Sequence, residues 1–238
     1  DFRKTFYFIK NFLKFINDLF TFKKKGGKIN NIYPFFDNYN SDAKEFENQF
    51  FHADLLISQY IYRKKPLNHL DIGSRIDGLV AHVASYRKLD VMDIRNVNIK
   101  PHKNINFIKK DLIKIQNFDK EKKYDSISSI GVIGHIGLGR YGDEIDPNGH
   151  VKAIKNICNL TIESGLIYIL VPVGKKGVEF NSHRVLDPKE IINYFKENNC
   201  ELLEFNLVND FGNLETNCDI NNSENLNFGG GIFIFKKL

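Results

Sequence analysis

The stretch His69-Leu70-Asp71-Ile72-Gly73-Ser74-Arg75-Ile76-Asp77-Gly78 decides the reading of this chain. A short apolar run breaks at Gly73 and leads into a helical segment, with Gly78 at the same turn. A glycine right after a buried strand permits positive φ and lets a ligand approach the backbone closely. A plain strand-to-helix turn would look the same at this point, so the neighbouring strands carry the decision.

Val91-Met92-Asp93-Ile94 ends the next β-rich run in an acid about 20 positions after the glycine turn, where a ribose needs a carboxylate acceptor. Asp93 is the expected ribose ligand, with Asp90 ranked behind it. Phe107-Ile108-Lys109-Lys110-Asp111-Leu112 ends a third run in an acid suited to an adenine amino group. Asp71, Asp93 and Asp111 thus fall at strand ends, where open α/β sheets bind ligands. The nucleoside site expected from this pattern comprises Asp71, Gly73, Ser74, Arg75, Gly78, Asp93, Asp111, Leu112, Ser129 and Ile130. A dinucleotide fingerprint would need G-x-G-x-x-G, and Arg75 and Asp77 crowd the place of a pyrophosphate.

Around this centre, β-rich runs alternate with helical or polar segments, which implies an α/β fold with a mostly parallel sheet. Seven strands are expected: His69 to Ser74, Leu89 to Ile94, Ile105 to Lys110, Tyr124 to Ile130, Leu166 to Val173, Glu201 to Val208 and Gly231 to Lys236. The last two should pair as an antiparallel hairpin around an irregular loop from Asn209 to Phe228. Asp146-Pro147 and Asp187-Pro188, the latter with Glu190, read as helix starts. Ahead of the sheet, Phe6, Ile9, Leu13, Ile16 and Phe20 recur at helical spacing up to Gly26 and Gly27, and a second helix is expected from Asp42 to Tyr62, opened by Asp42 and Glu45. Residues 1–66 would form a helical cover and 67–238 the sheet domain, as one compact unit.

The 238 residues are enough for one such domain. A net charge of +5 is mild and scattered among many acids, so no nucleic-acid partner is expected, and no Asp-Pro-Pro-Tyr stretch is present. Cys158, Cys200 and Cys218 lack metal-ligand spacing and read as reduced thiols of a cytoplasmic protein. No run reaches the roughly 18 apolar residues of a transmembrane helix. The chain begins at Asp1, so a missing signal sequence decides nothing. The Phe-rich first helix could be a cover, a homodimer contact or a membrane attachment, and the first two are favoured.

The glycine turn and strand-end acids resemble those of class I S-adenosylmethionine-dependent methyltransferases. More narrowly, Phe51-His52-Ala53-Asp54-Leu55, His135-Ile136-Gly137-Leu138-Gly139-Arg140-Tyr141-Gly142-Asp143 with Asp146-Pro147, and Pro172-Val173-Gly174 with Asn181-Ser182-His183-Arg184 are similar to a bacterial methyltransferase-like family associated with cell-surface polysaccharide genes. The resemblance spans roughly residues 33 to 200. It implies a seven-stranded Rossmann-like sheet, S-adenosylmethionine as cofactor, and O-methylation of a sugar or phosphoramidate-type group on a surface-polysaccharide precursor, such as a nucleotide-linked sugar. A non-catalytic methyltransferase-like scaffold is the alternative. Gly134 departs from the pattern, since an acid is expected before His135.

Methyl transfer to a hydroxyl needs positioning and removal of a proton, which a histidine does near neutral pH. His135 and His183 are the candidate bases, and His135 could instead only buttress its loop. Tyr33, His52, Asp54, Arg140, Tyr141 and Arg184 are the expected substrate contacts. Arg184 would clamp an anionic group or else pair with Asp187. Asp143, Glu144, Asp146 and His150 match no defined metal loop, Asp146 being better placed as a helix cap, so no metal is expected.

Overall fold

The computed structural model describes residues 2–34, 48–97, 102–117 and 120–238. Two compact units emerge, one of residues 1–45 and one of residues 46–238. In the first, helix α1 (Phe2–Lys24) carries the expected apolar stripe and ends at the Gly26 turn. The Asp42 and Glu45 capping box lies outside the described residues.

The second unit opens with α2 (Gln49–Lys64), whose N-cap Asn48 accepts from the Phe50 amide and whose C-cap Lys65 is left-handed just before Pro66. The division at residue 45 differs from the expected one at 66 for a physical reason. Ala53, Ile57 and Ile61 of α2 are fully buried in one cluster with Val80, Val83, Ile130 and Tyr168, so this helix belongs to the sheet unit.

The sheet strands are β1 (His69–Ile72), β2 (Leu89–Asp93), β3 (Ile105–Lys109), β4 (Tyr124–Ile130) and β5 (Thr161–Val173), then β8 (Cys200–Val208), β9 (Leu214–Glu215) and β10 (Gly229–Lys237). Their order is β3-β2-β1-β4-β5-β10-β8-β9. The first five run parallel, while β10 is antiparallel to both β5 and β8. All seven expected strands are present. Two additions escaped the pattern: β9, inside the expected loop, and a small hairpin of β6 (Gly177–Glu179) and β7 (His183–Val185).

Side chains alternate across the sheet. Ile167, Ile169, Val171, Phe233 and Phe235 face one core with α4 (Gly149–Leu160) and α5 (Pro188–Glu197), while Tyr168, Leu170, Ile232 and Ile234 face α2 and α3 (Ala81–Ala84). Asp187 caps α5 by accepting from the Lys189 amide, as expected. Its partner Glu190 turns instead to Lys176. Asp146 is not the cap of α4, whose cap is Asn148, two residues later; the Asp146 carboxylate accepts from the Asn148 amide and pairs with Lys152. Cys158 and Cys200 are buried, free thiols.

Candidate functional site

Strand order reverses at β1, which lies between β2 and β4. At the carboxyl ends of these strands lies a cleft of about 950 Å³, lined by parts of residues 72–77, 92–97, 110–112 and 130–143 together with Gln49, Phe50, His183 and Phe228.

The floor is the glycine turn. Gly73 has φ +67°, and an added Cβ would stand 3.1 Å from Val132. Ser74 fixes the turn: its amide and hydroxyl donate to Asp71 at 3.1 and 2.6 Å, and its Oγ accepts from the Ile130 amide. Ser128 donates a third bond to Asp71 at 2.6 Å. Asp71 is fully buried, and burial pushes its carboxyl up to about 6 against those three donors. It does not line the cleft, so its place is beneath the turn rather than on a ligand. Ser129 is likewise buried, donating to the Ile72 carbonyl, whereas Ile130 and Leu112 do reach the cleft. Arg75 lines the rim, paired with Asp77 at 3.0 Å.

Gly78 is also away from the cleft, and it makes room for Asp54. An added Cβ there would stand within bonding reach of the Asp54 carboxylate, which accepts from the Leu79 amide and which burial pushes up to about 6. Asp54 therefore fastens α2 to the turn. His52 donates from Nε2 to the Gly212 carbonyl at 3.0 Å and also stays outside the cleft. Tyr33 lies in the N-terminal unit.

Asp93 and Asp111 both line the cleft. Asp93 is bound at once by the Arg95 amide, Nε and Nη2, at 2.8, 2.9 and 2.6 Å. Arg95 had no signal in the motif reading, yet its guanidinium also lies 4.7 Å over the Tyr141 ring. Asp111 accepts from the Ile113 amide through Oδ1, while its Oδ2 is buried without a hydrogen-bond partner among the described residues, the Lys114 ammonium being 3.9 Å away. A buried carboxylate oxygen without a hydrogen bond costs about 1–3 kcal/mol, part of it offset here by the Lys114 ammonium, and a donor in the cleft would offset the rest. That atom, the Gly73 cradle and Asp93 together fit a nucleoside.

The opposite wall holds the candidate bases. The His135 Nδ1 lies 2.6 Å from the Ser182 carbonyl, which can only accept, and 3.4 Å from Arg140 Nη1; the shorter contact favours hydrogen on Nδ1 and a lone pair on Nε2 in the neutral ring. Burial pulls the imidazole below its ordinary range, with the Ser182 bond opposing. The carbonyl occupies the role expected of an acid at position 134. Glycine there lets β7 run close: the Arg184 amide donates to the Gly134 carbonyl, and an added Cβ would stand 3.2 Å from the Arg184 carbonyl. Arg140 donates to the same Ser182 carbonyl at 2.8 Å, and Tyr141 packs edge-on to His135. His183 Nδ1 is 2.9 Å from Ser182 Oγ, and its ring packs against Phe228.

Arg184 is engaged by backbone carbonyls and, among the described residues, does not pair with Asp187. It is 4% exposed, and its guanidinium donates to the carbonyls of Ile136, Asp146 and Pro147 at 2.6, 3.3 and 3.3 Å. Asp143 is spent on the amides of Gly137, Gly139 and Tyr141. Among the described residues no cluster of His, Cys, Asp or Glu is arranged to hold a metal ion. Gln49, whose Oε1 is buried without a hydrogen-bond partner among the described residues, and Phe50 enter the cleft from α2 without any motif to mark them.

Solved structures with this fold include the N-methyltransferase NodS from Bradyrhizobium japonicum in complex with S-adenosyl-L-homocysteine, 14% identical over 87% of this chain and 93% of that one, with TM-score 0.54. Another is the Burkholderia thailandensis 1,6-didemethyltoxoflavin-N1-methyltransferase with bound 1,6-didemethyltoxoflavin and S-adenosylhomocysteine, 11% identical over 96% and 89%, with TM-score 0.53. A third is the magnesium protoporphyrin IX methyltransferase of Synechocystis with bound SAM, 10% identical over 84% and 86%, with TM-score 0.53. At such identities the likeness establishes the class I methyltransferase fold. No curated protein matches the chain in sequence. A family model does match, over residues 83–223, and its description mentions no polysaccharide genes. That match takes in more than half of the sequence, from α3 through β9, and by it the chain belongs to the family described as Caenorhabditis protein of unknown function, DUF268.

Proposed function

We propose that the chain is an S-adenosylmethionine-dependent methyltransferase acting on an oxygen of a small hydroxyl-bearing acceptor, with His135 as the base. The observation that carries this reading is Oδ2 of Asp111, buried without a hydrogen bond among the described residues and with only the Lys114 ammonium 3.9 Å away, in a carboxylate that shares a strand-end cleft with Asp93 and the Gly73 turn. When bound, S-adenosylmethionine supplies an electrophilic methyl on a sulfonium and leaves as the neutral thioether. The chain supplies the rest. Asp111 accepts from the adenine amino group and Asp93 from ribose hydroxyls, while the Gly73 turn keeps the backbone clear of the ligand. His135, held by Ser182, takes the acceptor's hydroxyl proton on Nε2 as the oxygen gains the methyl. His183, Arg140, Tyr141 and Phe228 line the space on that side and orient the acceptor.

Sequence resemblance supports a sugar or phosphoramidate-type acceptor from a surface-polysaccharide precursor, through the segments at 51–55, 135–147 and 172–184. One observation favours the second reading, a non-catalytic module: Arg95 already engages both oxygens of Asp93. Incubation with S-adenosylmethionine and a panel of nucleotide-linked sugars separates the two. Release of S-adenosylhomocysteine that depends on acceptor and on His135 supports the enzyme. Tight cofactor binding with no turnover on any acceptor supports the module.

A further inference from the structure

Helix α1 is amphipathic, and much of its apolar stripe is exposed. Phe6, Ile9, Leu13, Ile16 and Phe20 form one stripe at helical spacing, and Phe6, Leu13 and Phe20 are 66%, 63% and 66% exposed. A helix that turned this stripe to a protein core would bury it. Lys10, Lys14, Asn17 and Thr21 form the contrasting stripe, all exposed. Lys23, Lys24 and Lys25 follow at the helix end, where cations also suit the helix dipole. Asp18, paired with Lys14, is the sole acid between positions 6 and 25.

We infer that α1 is a docking surface for an anionic phospholipid bilayer, lying in the plane of the interface. Three features favour a lipid surface over another protein or a second copy of this chain. The apolar stripe is dominated by phenylalanine and long aliphatic residues, which insert well at the headgroup boundary. The flanking charge is almost wholly positive, complementary to acidic headgroups and repulsive toward an identical helix laid beside it. Among the described residues no helix is long and apolar enough to cross a membrane, so the stripe is read as lying along a surface. The inference stands apart from the methyltransferase reading, since it uses no residue of the cleft.

The test is sedimentation of the full chain with phosphatidylcholine vesicles, with and without phosphatidylserine, at low and high salt. The expected result is binding to the anionic vesicles that weakens with salt. The pair Leu13→Glu with Phe20→Glu should reduce it at least tenfold, and Lys10→Gln or Lys24→Gln about fivefold each. Both apolar positions are exposed, so the double variant should unfold at the wild-type temperature, and its loss of binding is then not a loss of fold. Failure to bind anionic vesicles would overturn the inference, as would equal binding by the double variant. A wild-type dimer that the same variant turns into a monomer, without vesicle binding, would assign the stripe to self-association instead.

Discussion

The Ser182 carbonyl oxygen stands 2.6 Å from Nδ1 of His135, with Arg140 Nη1 3.4 Å from the same nitrogen, and the shorter contact favours the tautomer whose lone pair is on Nε2. A carbonyl has no hydrogen to give, so Nε2 is left as the acceptor. Because burial pulls the His135 pKa down, its neutral form persists to lower pH than a free imidazole. The acid limb of a kcat profile should therefore fall below about pH 6.5. His135→Gln should lower kcat about a hundredfold or more while leaving S-adenosylhomocysteine affinity within about twofold. A limb unchanged in the variant would remove His135 from the chemistry.

Arg95 competes with a ribose for Asp93. The Arg95 side chain is 51% exposed, so the pair contributes no more than about 1 kcal/mol, and losing it frees a carboxylate that is 11% exposed. Arg95→Met should tighten S-adenosylhomocysteine binding by up to about fivefold, whereas Asp93→Ala should weaken it at least tenfold. Calorimetric titration of both variants checks the opposite signs. Weaker binding in Arg95→Met would mean that the guanidinium assists the ligand.

Arg184 ties the loop after β4 to the start of α4 through three carbonyls. Arg184→Met should cost about 3 kcal/mol in urea unfolding, since it orphans buried acceptors. Unchanged stability together with a raised acceptor KM would restore the clamp that the sequence suggested.

His69 makes a separate statement about pH. It is 2% exposed between the hydroxyls of Ser126 and Ser128, and burial pulls its pKa down to about 3. The folded form keeps the ring neutral while the unfolded chain binds a proton below about pH 6.5, so acidification favours unfolding. Asp71 and Asp54, both pushed up to about 6, act in the opposite direction in the wild type and in any His69 variant. Between pH 6.5 and 5 the wild type should lose about 2 kcal/mol relative to His69→Asn. Parallel stability curves for the two proteins would show that His69 is protonated in the fold.

Much of the architecture was legible because short β-rich runs of six to eight residues, set apart by helical or polar segments, leave few alternatives to strands in a buried sheet. The β6 and β7 hairpin was not, since Gly177, Val178 and Glu179 are all exposed and carry no pattern, and β9 is only Leu214 and Glu215. Strand-end acids marked the cleft, but letters do not say which way an acid turns. Asp93 and Asp111 face the cleft, while Asp71 is drawn under the turn by two serines, one of them 57 residues away on β4. The partner of His135 was invisible for a stricter reason: it is a backbone carbonyl, which any residue would present. Asp146 was misread as a cap because the chain makes one more turn before α4, with Asn148 at its start.

The most direct test of the central claim is calorimetric titration of S-adenosylhomocysteine into the wild type and into Asp111→Ala. The Oδ2 of Asp111, which lacks a hydrogen bond among the described residues, predicts binding in the wild type and at least tenfold weaker binding in the variant, with both proteins folded. No heat of binding in the folded wild type, or equal affinity in both proteins, would contradict the account.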